Sequence, residues 1–567
     1  MGNNKNPNDL ETVETPMKNL RSLDFLRRRM TEIENDLVDE LAAGRIGRRE
    51  FLRHGSMLGL SLPLLGGIAG TFGLGTTIAS RPARAAGGTI RVASQVPAGK
   101  VDPVTVNDQG GLMMLHQTGE FLMISGPDLT LKPWLAESWK PNEDGTVWTF
   151  KIRQGVKFHN GNAMTAKDVA ASVERLADPK NSSNALSVFK GTLSVGNTKV
   201  VDDYTVQFTL DAPNGNFPYL VSSDNYNLVV VPADYSGDFE QNFMGTGPFK
   251  FEKFTPKVGA SFVRNDDYWG DKALPDRTVW SFYDSQQAMA LALQGGQVDV
   301  ITQVPAVGSQ GLLNDPNLQI IAARSCACEQ VHMRVDRPPF NDKRVRQAVA
   351  LTLDREGIVK GLFQGRGSVG NDSPFAPVFP STDTTVEQRK QDLAKAKELL
   401  AAAGVPNGFK VKLTTEDYLE IPQYAVLIQN ACKKIGIEIE LNVESQDAYY
   451  GKAVFGQSDW LDSVMGITDY GHRGVPNVLL SAPLKSEGTW NSAHFKNKEY
   501  DQLVVDYIKA LDLGAQKAVA GKIQRLLLDE TPVIFGYFYD YLTPAKKTLM
   551  GIPPVPNRLF LAQATIG

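Results

Sequence analysis

Histidine is the side chain best suited to both metal binding and proton transfer at neutral pH, and this chain of 567 residues has only six. They stand at positions 54, 116, 159, 332, 472 and 494, and no two have the i, i+4 spacing that brings two zinc ligands to one helix face. The sequence therefore predicts no metal site. We expect His159, in the turn KFHNG, to bond backbone groups of that turn.

Catalytic and nucleotide-binding motifs are also missing from the sequence. The turn at residues 245–248, GTGP, lacks the lysine and hydroxyl of a phosphate-binding P-loop. There is no Gly-x-Ser-x-Gly elbow and no His-Glu-x-x-His pattern. The 63 Asp and Glu residues are too many for one pair to be singled out as acid and base. These observations give no support to a hydrolase, and we expect neither an enzymatic activity nor a cofactor.

Composition indicates a globular protein that does not bind nucleic acid. Hydrophobic residues make up 42% of the chain and charged residues 22%, and the formal net charge is -4, which offers no basic field to a phosphate backbone. The three cysteines, Cys326, Cys328 and Cys432, are too few for a disulfide framework. We interpret them as packed thiols, and a bridge from Cys326 or Cys328 to Cys432 is the alternative.

The elements that must position a binding site begin with a clear strand, turn and helix. Residues 147–152 alternate with the period of 2 that is typical of a strand with two differently buried faces. Thr165 and Asp168 have the spacing of a capping box, in which each side chain accepts from a free backbone N–H at a helix start. Val169, Val173 and Leu176 then continue as one apolar helix face.

The same alternation of strand and helix continues along the chain and predicts a mixed α/β fold. The predicted strands lie near residue 90 and at residues 298–301 and 437–443. The predicted helices lie at residues 112–122, 286–293, about 386–400 and 422–434. Glycines at positions 295, 404 and 436 provide stops for three of these helices.

Four segments resemble one known family. They are residues 147–176, residues 245–251 (GTGPFKF), residues 264–270 (RNDDYWG) and residues 338–363 (PPFNDKRVRQAVALTLDREGIVKGLF). Together they are similar to the extracellular solute-binding proteins of family 5, the dipeptide, oligopeptide and nickel receptors of ABC importers. The resemblance spans most of the chain after residue 86.

The resemblance implies an α/β, two-lobe periplasmic-binding-protein fold of the large peptide-receptor type. The first lobe is expected to be discontinuous, with residues 86–325 and 537–567 and an inserted subdomain at about 120–245. The second lobe is expected to hold residues 326–536. The chain is expected to cross between the lobes near residues 326–334 and 532–541.

The resemblance also implies where a ligand binds. Asp469, in MGITDYGHRG at residues 465–474, matches the aspartate that pairs with the ligand's α-ammonium group in peptide-binding relatives. An enclosed cation loses hydration, and a charged, hydrogen-bonded partner offsets that loss. A helix cap or loop aspartate is the alternative reading. Tyr470 and Gly466 belong to the same motif, and His472 is a weak metal candidate because nickel receptors use a histidine in this segment.

Departures from the family pattern concern the ligand. Gln423 stands where dipeptide receptors have an arginine that clamps the ligand carboxylate, and Gly466 or a neighbour replaces a tryptophan, which leaves room for a bulkier ligand. Asn107 aligns with a glutamate of an oligopeptide receptor. Asn107 and Gln109 are expected cleft contacts, since the family's first lobe presents this loop to the ligand, and ordinary turn polarity is the alternative.

The first 85 residues indicate export. Arg48 and Arg49, followed by Phe51 and Leu52, resemble a twin-arginine (Tat) signal ahead of a mildly apolar run at residues 55–78. The small-x-small pattern at residues 83–85 predicts cleavage near Ala85, and a transmembrane anchor is the alternative. The polar leader before the arginines, with a helix-like stretch at residues 21–41, is interpreted as a solvated tail rather than a regulatory segment.

The leading hypothesis is a soluble periplasmic receptor of an ABC importer that encloses a small peptide or amine-bearing solute. Its expected partners are the ligand, the permease subunits with their ATPases, and the Tat export machinery, but not nucleic acid. An alternative keeps the receptor and changes the ligand to an opine, an oligosaccharide or a metal chelate. A periplasmic hydrolase or chaperone on the same scaffold is the alternative of another class.

Overall fold

The structure, a computed structural model, describes residues 27–28, 30–60, 64–65, 68–69 and 87–567. Its strands, in chain order, are β1 (Thr89–Gln95), β2 (Met123–Ser125), β3 (Leu131–Pro133), β4 (Ala136–Pro141), β5 (Val147–Ile152), β6 (Thr198–Asp202), β7 (Thr205–Thr209), β8 (Phe249–Thr255), β9 (Gly259–Arg264), β10 (Arg277–Tyr283), β11 (Val300–Ile301), β12 (Leu318–Ala323), β13 (Cys328–Met333), β14 (Gly367–Val369), β15 (Lys410–Glu416), β16 (Glu438–Glu444), β17 (Met465–Tyr470), β18 (Val533–Phe535), β19 (Tyr537–Tyr539), β20 (Tyr541–Lys546), β21 (Leu549–Met550) and β22 (Thr565–Ile566).

The α-helices are α1 (Glu32–Ala42), α2 (Arg48–Met57), α3 (Gln109–Thr118), α4 (Ala166–Ala177), α5 (Leu186–Phe189), α6 (Phe217–Leu220), α7 (Phe239–Asn242), α8 (Gln286–Gln294), α9 (Gln310–Leu313), α10 (Lys343–Leu351), α11 (Arg355–Phe363), α12 (Leu393–Ala402), α13 (Ile421–Lys433), α14 (Gln446–Tyr450), α15 (Asp459–Asp462), α16 (Asn477–Ser481), α17 (Lys498–Lys509) and α18 (Leu513–Glu530). A short 3-10 turn covers Pro179–Asn181.

Three sheets organise the described residues. A seven-stranded sheet has the order β12-β20-β11-β1-β10-β9-β8, with β1 parallel to both β10 and β11. A five-stranded sheet has the order β16-β15-β17-β13-β18, in which β15 is parallel to β16 and β17 while β13 is antiparallel to β17 and β18. Strands β4, β5, β7 and β6 form a separate antiparallel meander.

The chain returns to the first sheet after it has built the second. Strand β20 lies between β11 and β12 of the seven-stranded sheet, although β18, only five residues earlier in the chain, completes the five-stranded sheet. Strands β18, β19 and β20 therefore run from one sheet to the other, and their side chains are at the junction between them. This junction positions the candidate site.

The predicted strand, turn and capped helix at residues 147–177 are confirmed. Strand β5 spans the predicted residues, and α4 begins with a capping box in which Thr165 Oγ1 and the Asp168 carboxylate both accept backbone N–H groups. The helix buries the predicted face, with Val169, Val173 and Leu176 at most 3% exposed. His159 donates from Nε2 to the Gly247 carbonyl, 3.0 Å away, so its structural role is confirmed, but its partner belongs to the GTGP turn and not to its own turn as predicted.

Two predicted helices have different bounds in the structure. The helix predicted from about residue 386 begins only at Leu393, where the Asp392 side chain accepts from the Lys395 N–H. Residues before it are held in an irregular path, because the Arg389 guanidinium lies 2.6 Å from the buried Asp372 carboxylate. The helix predicted at residues 112–122 is α3, which begins earlier, after its Asp108 cap, and ends at Thr118.

The three cysteines are buried thiols, as predicted. Cys326 and Cys328 pack in the large core that also contains the meander sheet, and Cys432 packs in the core of the five-stranded sheet. Burial raises the pKa of the Cys326 and Cys432 thiols to about 12. These thiols therefore stay protonated and act as small apolar side chains.

Glu120 explains the polar and aromatic residues of two family-like segments, because they supply its hydrogen-bond donors. Its buried carboxylate accepts hydrogen bonds from Trp134 Nε1 (2.6 Å), Thr246 Oγ1 (2.7 Å), Tyr268 OH (2.5 Å) and Trp269 Nε1 (2.9 Å). Thr246 belongs to GTGPFKF and the two aromatic residues belong to RNDDYWG. Both segments are therefore framework around one buried acceptor.

We expect Glu120→Gln to lower the free energy of unfolding by about 2 kcal/mol, because the amide group turns its N–H donors toward side chains that are themselves donors. The measurement is the midpoint of urea unfolding at unchanged slope. Glu398→Gln is the control, since Glu398 pairs with Lys395 on an exposed helix face and should change the midpoint little. Equal midpoints for the wild type and Glu120→Gln would contradict the proposed importance of the network.

The described part of the leader packs against the rest of the protein. Phe51 is fully buried in a cluster that includes Leu513. Trp139 Nε1 donates to the Met57 carbonyl at 2.8 Å, and the Lys517 ammonium lies 2.7 Å from the Glu50 carboxylate. The prediction of a solvated tail is wrong for residues 31–47, because α1 is amphipathic and buries its apolar face, including Leu37, Val38 and Leu41, in this cluster.

Helices long and apolar enough to cross a bilayer were sought among the described residues, and none meets that description. The apolar run at residues 55–78, which carried the alternative of an anchor, lies mostly outside the described residues.

Candidate functional site

Asp469 lies near the end of β17, on the face that it shares with Met465 and Ile467. Its side chain keeps partial solvent exposure, whereas the two other side chains of this face are fully buried in the core. Tyr539 OH, from the strand that joins the two large sheets, donates to Asp469 Oδ1 at 2.7 Å. Burial raises the pKa of Asp469 to about 6, and the Tyr539 hydrogen bond opposes that rise.

A second carboxyl group faces Asp469 directly. Glu329 is the residue opposite Asp469 in the antiparallel pair of β13 and β17, and directly paired residues hold their side chains on the same face. Glu329 is completely buried, and neither carboxylate oxygen accepts a hydrogen bond from a donor of the described residues. Burial, and then the neighbouring Asp469, raise its pKa well above the usual range.

Two further buried carboxyl groups come from the segment after β15. Glu416, the last residue of β15, accepts from Tyr450 OH and from Gln446 Nε2, both at 2.7 Å. Glu420 directly precedes α13 and accepts from Tyr537 OH at 3.3 Å. Burial raises the pKa of Glu416, and it raises the pKa of Glu420 to about 7.

These four residues form a group that we call the carboxylate cluster: Glu329, Glu416, Glu420 and Asp469. Two other buried carboxylates of the described chain have guanidinium partners, Asp372 with Arg355 at 2.8 Å and Asp224 with Arg558 at 3.5 Å, and the buried Glu120 has four neutral donors. Within the described residues no member of the cluster has a salt bridge. Asp469 interacts electrostatically with each of the three glutamates and, after burial, the repulsion between like charges raises the pKa values of Glu329, Glu420 and Asp469. The low dielectric constant of the protein interior strengthens this repulsion.

Tyrosines surround the carboxylate cluster. Tyr537, Tyr539 and Tyr541 alternate along the junction strands, and the rings of Tyr539 and Tyr541 lie 5.8 Å apart. Tyr424 packs edge to face on Tyr537 at 4.9 Å, and Tyr418 remains 37% exposed. Aromatic faces and phenol hydroxyls beside several carboxylates make an environment suited to organic cations.

The other residues predicted on β17 face away from Asp469. Gly466 and Tyr470 lie on the opposite face of the strand, and the Tyr470 ring stacks on Trp490 with centroids 5.9 Å apart. A Cβ added to Gly466 would lie 2.4 Å from the buried His332 ring. The glycine is therefore required by packing against His332.

The three remaining predicted contacts come from other segments of the chain. Gln423 is exposed on α13, and Asn107 is exposed in the loop before α3. Gln109, the first residue of α3, donates from Nε2 to Gln303 Oε1 at 2.6 Å. No hydrogen bond of the described residues links any of these three to the carboxylate cluster, and their contact with a ligand stays a prediction.

His472 has a structural environment. Its Nδ1 accepts the Cys326 N–H at 3.2 Å, and burial lowers its pKa to about 3. Among the residues that the structure describes, no group of three or more His, Cys, Asp or Glu side chains is arranged to hold a metal ion. The ring is therefore neutral and engaged with the backbone.

Sequence reasoning missed Glu329, Glu416, Glu420 and the tyrosines. One signal was available, because YFYDY at residues 537–541 has the period of 2 that places three tyrosines on one face of an extended chain. The three glutamates carry no such local signal. Their proximity depends on strand pairings between residues far apart in the chain.

A cavity of about 790 Å³ lies elsewhere on the five-stranded-sheet side. It is lined by residues that include Arg334, Arg337, Asp459, Asp462 and His494, and Asp469 is not among them. It is broad and open to solvent, with neither the enclosure nor the convergent buried groups of a specific small-molecule site. We therefore place the candidate site at the carboxylate cluster.

Comparisons with known proteins agree with this architecture. The sequence model of the bacterial extracellular solute-binding proteins, family 5 Middle, matches residues 130–470. Heme-binding protein A of Haemophilus influenzae is 27% identical over 437 residues, which are 71% of this chain and 78% of that protein. Di/tripeptide-binding protein 1 of Pseudomonas aeruginosa is 26% identical over 447 residues, 74% of this chain and 82% of that protein.

A solved structure shows the same fold. The ABC transporter-associated periplasmic binding protein DppA of Helicobacter pylori, in complex with peptide STSA, superimposes with a TM-score of 0.70 at 24% identity, over 85% of this chain and 98% of that one. The chain therefore has the two-lobe fold of a periplasmic binding protein, and β18 to β20 join its two large sheets. The family match covers more than half of the sequence, so the chain belongs to family 5 of the bacterial extracellular solute-binding proteins.

Proposed function

We propose that this importer receptor encloses a small peptide or another amine-bearing solute between its lobes, with Asp469 pairing with the ligand's ammonium group. The observation that carries the proposal is the Asp469 carboxyl itself. It is partly exposed at the junction of the two sheets, it is oriented by Tyr539, and it has no salt-bridge partner within the described residues. Such a carboxylate gains a partner when a cation binds.

Closure of the two lobes around the ligand accounts for the binding free energy that the proposal requires. A ligand that contacts both lobes stabilises the closed state in proportion to its better affinity for that state. Micromolar affinity corresponds to about 8 kcal/mol. One charge-assisted pair, backbone hydrogen bonds and modest apolar burial reach this magnitude after desolvation and immobilisation are subtracted. The proposed activity is binding and delivery to the permease, without chemical change of the solute.

A non-peptide solute is the second candidate. Gln423 is exposed and has no positive charge to hold a ligand carboxylate, so the chain offers no counterpart there to a peptide's C-terminus. The relative named heme-binding protein A supports a wider ligand range in this family. A periplasmic hydrolase or chaperone remains the candidate of another class, and no catalytic arrangement in the described cluster supports the hydrolase.

We also propose how the chain divides into lobes and where in the cell the protein is located. The first lobe comprises residues 86–325 and 537–567, with a subdomain at about 120–245, and the second comprises residues 326–536; the sheet memberships support this division. The twin arginines at 48 and 49 support export by the Tat machinery to the periplasm, with cleavage near Ala85. ABC permease subunits and their ATPases are the proposed partners.

The test is to identify the solute that accompanies the protein. The full chain is expressed with its leader in a bacterial host, purified from the periplasmic fraction, and analysed by native mass spectrometry with gentle release of bound molecules. We expect a released solute that carries a primary or secondary amine. A solute without a basic nitrogen would overturn the role of Asp469 while leaving the receptor role intact.

A further inference from the structure

The carboxylate cluster contains more negative charge than one ammonium group can balance. Asp469 is partly exposed, but Glu329, Glu416 and Glu420 are 0%, 0% and 2% exposed. Glu416 has two hydrogen-bond donors and Glu420 one. Glu329 is the exception, since neither of its buried oxygens has a nitrogen or hydroxyl donor among the described residues, and its hydrogen-bond partner is the Asp469 carboxyl group. The described protein therefore offers Glu329 a second acidic group as its partner and no cation.

An unpaired buried carboxyl group is costly, because burial removes hydration without replacing it. The fold tolerates Glu329 beside Asp469 only when protons or an external cation neutralise part of the charge. Among the described residues no Lys or Arg side chain forms an ion pair with the cluster, and Arg473 acts on Asp469 only through its field. In the ligand-free protein a proton on Glu329 lowers the charge, and the cation of a ligand can take the place of that proton.

We propose that the natural ligand carries two cationic nitrogen groups, the first bound by Asp469 and the second by Glu329 with Glu420. The inference rests on the proposed role of Asp469 and narrows its ligand class to compact organic dications, such as diamines or peptides with a basic first residue. Glu416 keeps its hydrogen bonds with Tyr450 and Gln446. It acts on the ligand through its electrostatic potential and does not contact it.

The chemistry of the lining favours an organic dication over a metal ion. The described side chains do not form a group of three or more residues that could hold a metal ion. Four tyrosines beside the carboxylate cluster, at positions 418, 537, 539 and 541, instead present aromatic rings and hydroxyl groups. Carbon chains between two ammonium groups pack against such rings, and the rings attract the cations through their faces.

Matched ligand pairs test the proposal, each pair differing by one positive charge. Calorimetric titrations of ligand-free protein would compare diaminobutane with butylamine, and lysyl-alanine with norleucyl-alanine. We expect the wild type to bind the dication of at least one pair at least about ten-fold more tightly than its partner, as one well-formed charge pair predicts. Equal affinities within each pair, or no binding by any of the four, would overturn the proposal.

Variants assign the preference to the cluster. Glu329→Gln should weaken the binding of the dication at least about ten-fold more than the binding of the monocation, and so remove most of the preference. Glu438→Gln, on the exposed strand β16 beside Lys410, is the matched control and should keep the preference. If Glu329→Gln does not fold, Glu420→Gln serves instead. An unchanged preference in the folded variants would overturn the assignment.

Binding measurements on Asp469→Asn distinguish a failure of the dication inference from a failure of the proposed ammonium contact. If it weakens both members of each pair while the wild type shows no preference for dications, only the second cation is excluded. If it changes no affinity at all, the contact proposed for Asp469 is excluded as well.

Discussion

Asp469→Asn is expected to weaken the binding of amine-bearing ligands about 100-fold, because it removes the negative charge of a buried pair while keeping the shape of the side chain. The Tyr539 hydroxyl can still donate to the amide oxygen, so the local geometry of the strand end is retained. The measurement is the dissociation constant of the solute identified by native mass spectrometry, determined by calorimetry for both proteins at the same pH and salt concentration.

Two comparisons make the result specific. Asp459→Asn removes a carboxylate from the lining of the separate, open cavity and should leave the affinity unchanged. The melting temperature of ligand-free Asp469→Asn should equal or exceed that of the wild type, since the variant relieves repulsion with Glu329. An affinity within two-fold of the wild type would contradict the proposed ammonium contact.

The second large effect concerns pH. The carboxylate cluster is expected to destabilise the ligand-free protein increasingly as pH rises from about 4 to about 7. Burial raises the pKa of Asp469 to about 6 and of Glu420 to about 7, above their ordinary values of 3.8 and 4.5. Between these values the folded protein binds more protons than the unfolded chain, so its free energy of unfolding falls with pH. The loss is on the order of 3 kcal/mol for each of the two groups.

Buried histidines act in the opposite direction and must be separated. Burial lowers the pKa of His116, His159 and His332 to about 4 and of His472 to about 3. Their folded pKa values lie below the unfolded value of about 6.5, so they favour folding above that pH and oppose it below. The carboxylate contribution is therefore measured as a difference between two proteins that share these histidines.

The comparison is between the wild type and the double variant Asp469→Asn, Glu420→Gln. Thermal unfolding of both ligand-free proteins is followed from pH 4 to pH 8. We expect the double variant to gain stability relative to the wild type as pH rises, with most of the gain complete by about pH 7. A constant difference across this range would show that the two carboxyl groups do not titrate with raised pKa values.

Local sequence signals predicted those parts of the fold whose bonds are local. The capping box of Thr165 and Asp168 joins residues three apart, and β5 and α4 were accordingly found where the pattern predicted them. The start of α12 was missed because it depends on a distant contact, the ion pair of Arg389 with the buried Asp372. Tertiary contacts of this kind override the helix propensity of residues 386–392.

The residues of the candidate site also differ in how far the sequence predicted them. Asp469 could be nominated from its motif, whereas Gly466 and Tyr470 of that motif lie on the other face of β17 and pack in the core. The family resemblance placed Gln423 and Asn107 near a ligand, but the structure shows both side chains exposed and without a hydrogen bond to the carboxylate cluster in its described part.

Sequence alone was sufficient for the family, the α/β class and the absence of a histidine metal motif, because these depend on residue order and spacing. The carboxylate cluster was decided only by tertiary structure. Glu329 and Asp469 are 140 positions apart and meet because β13 and β17 pair antiparallel in one register; a shift of one residue would turn one carboxyl group to the opposite face. Register and burial depend on the whole chain, so the charge of the site becomes visible only after folding.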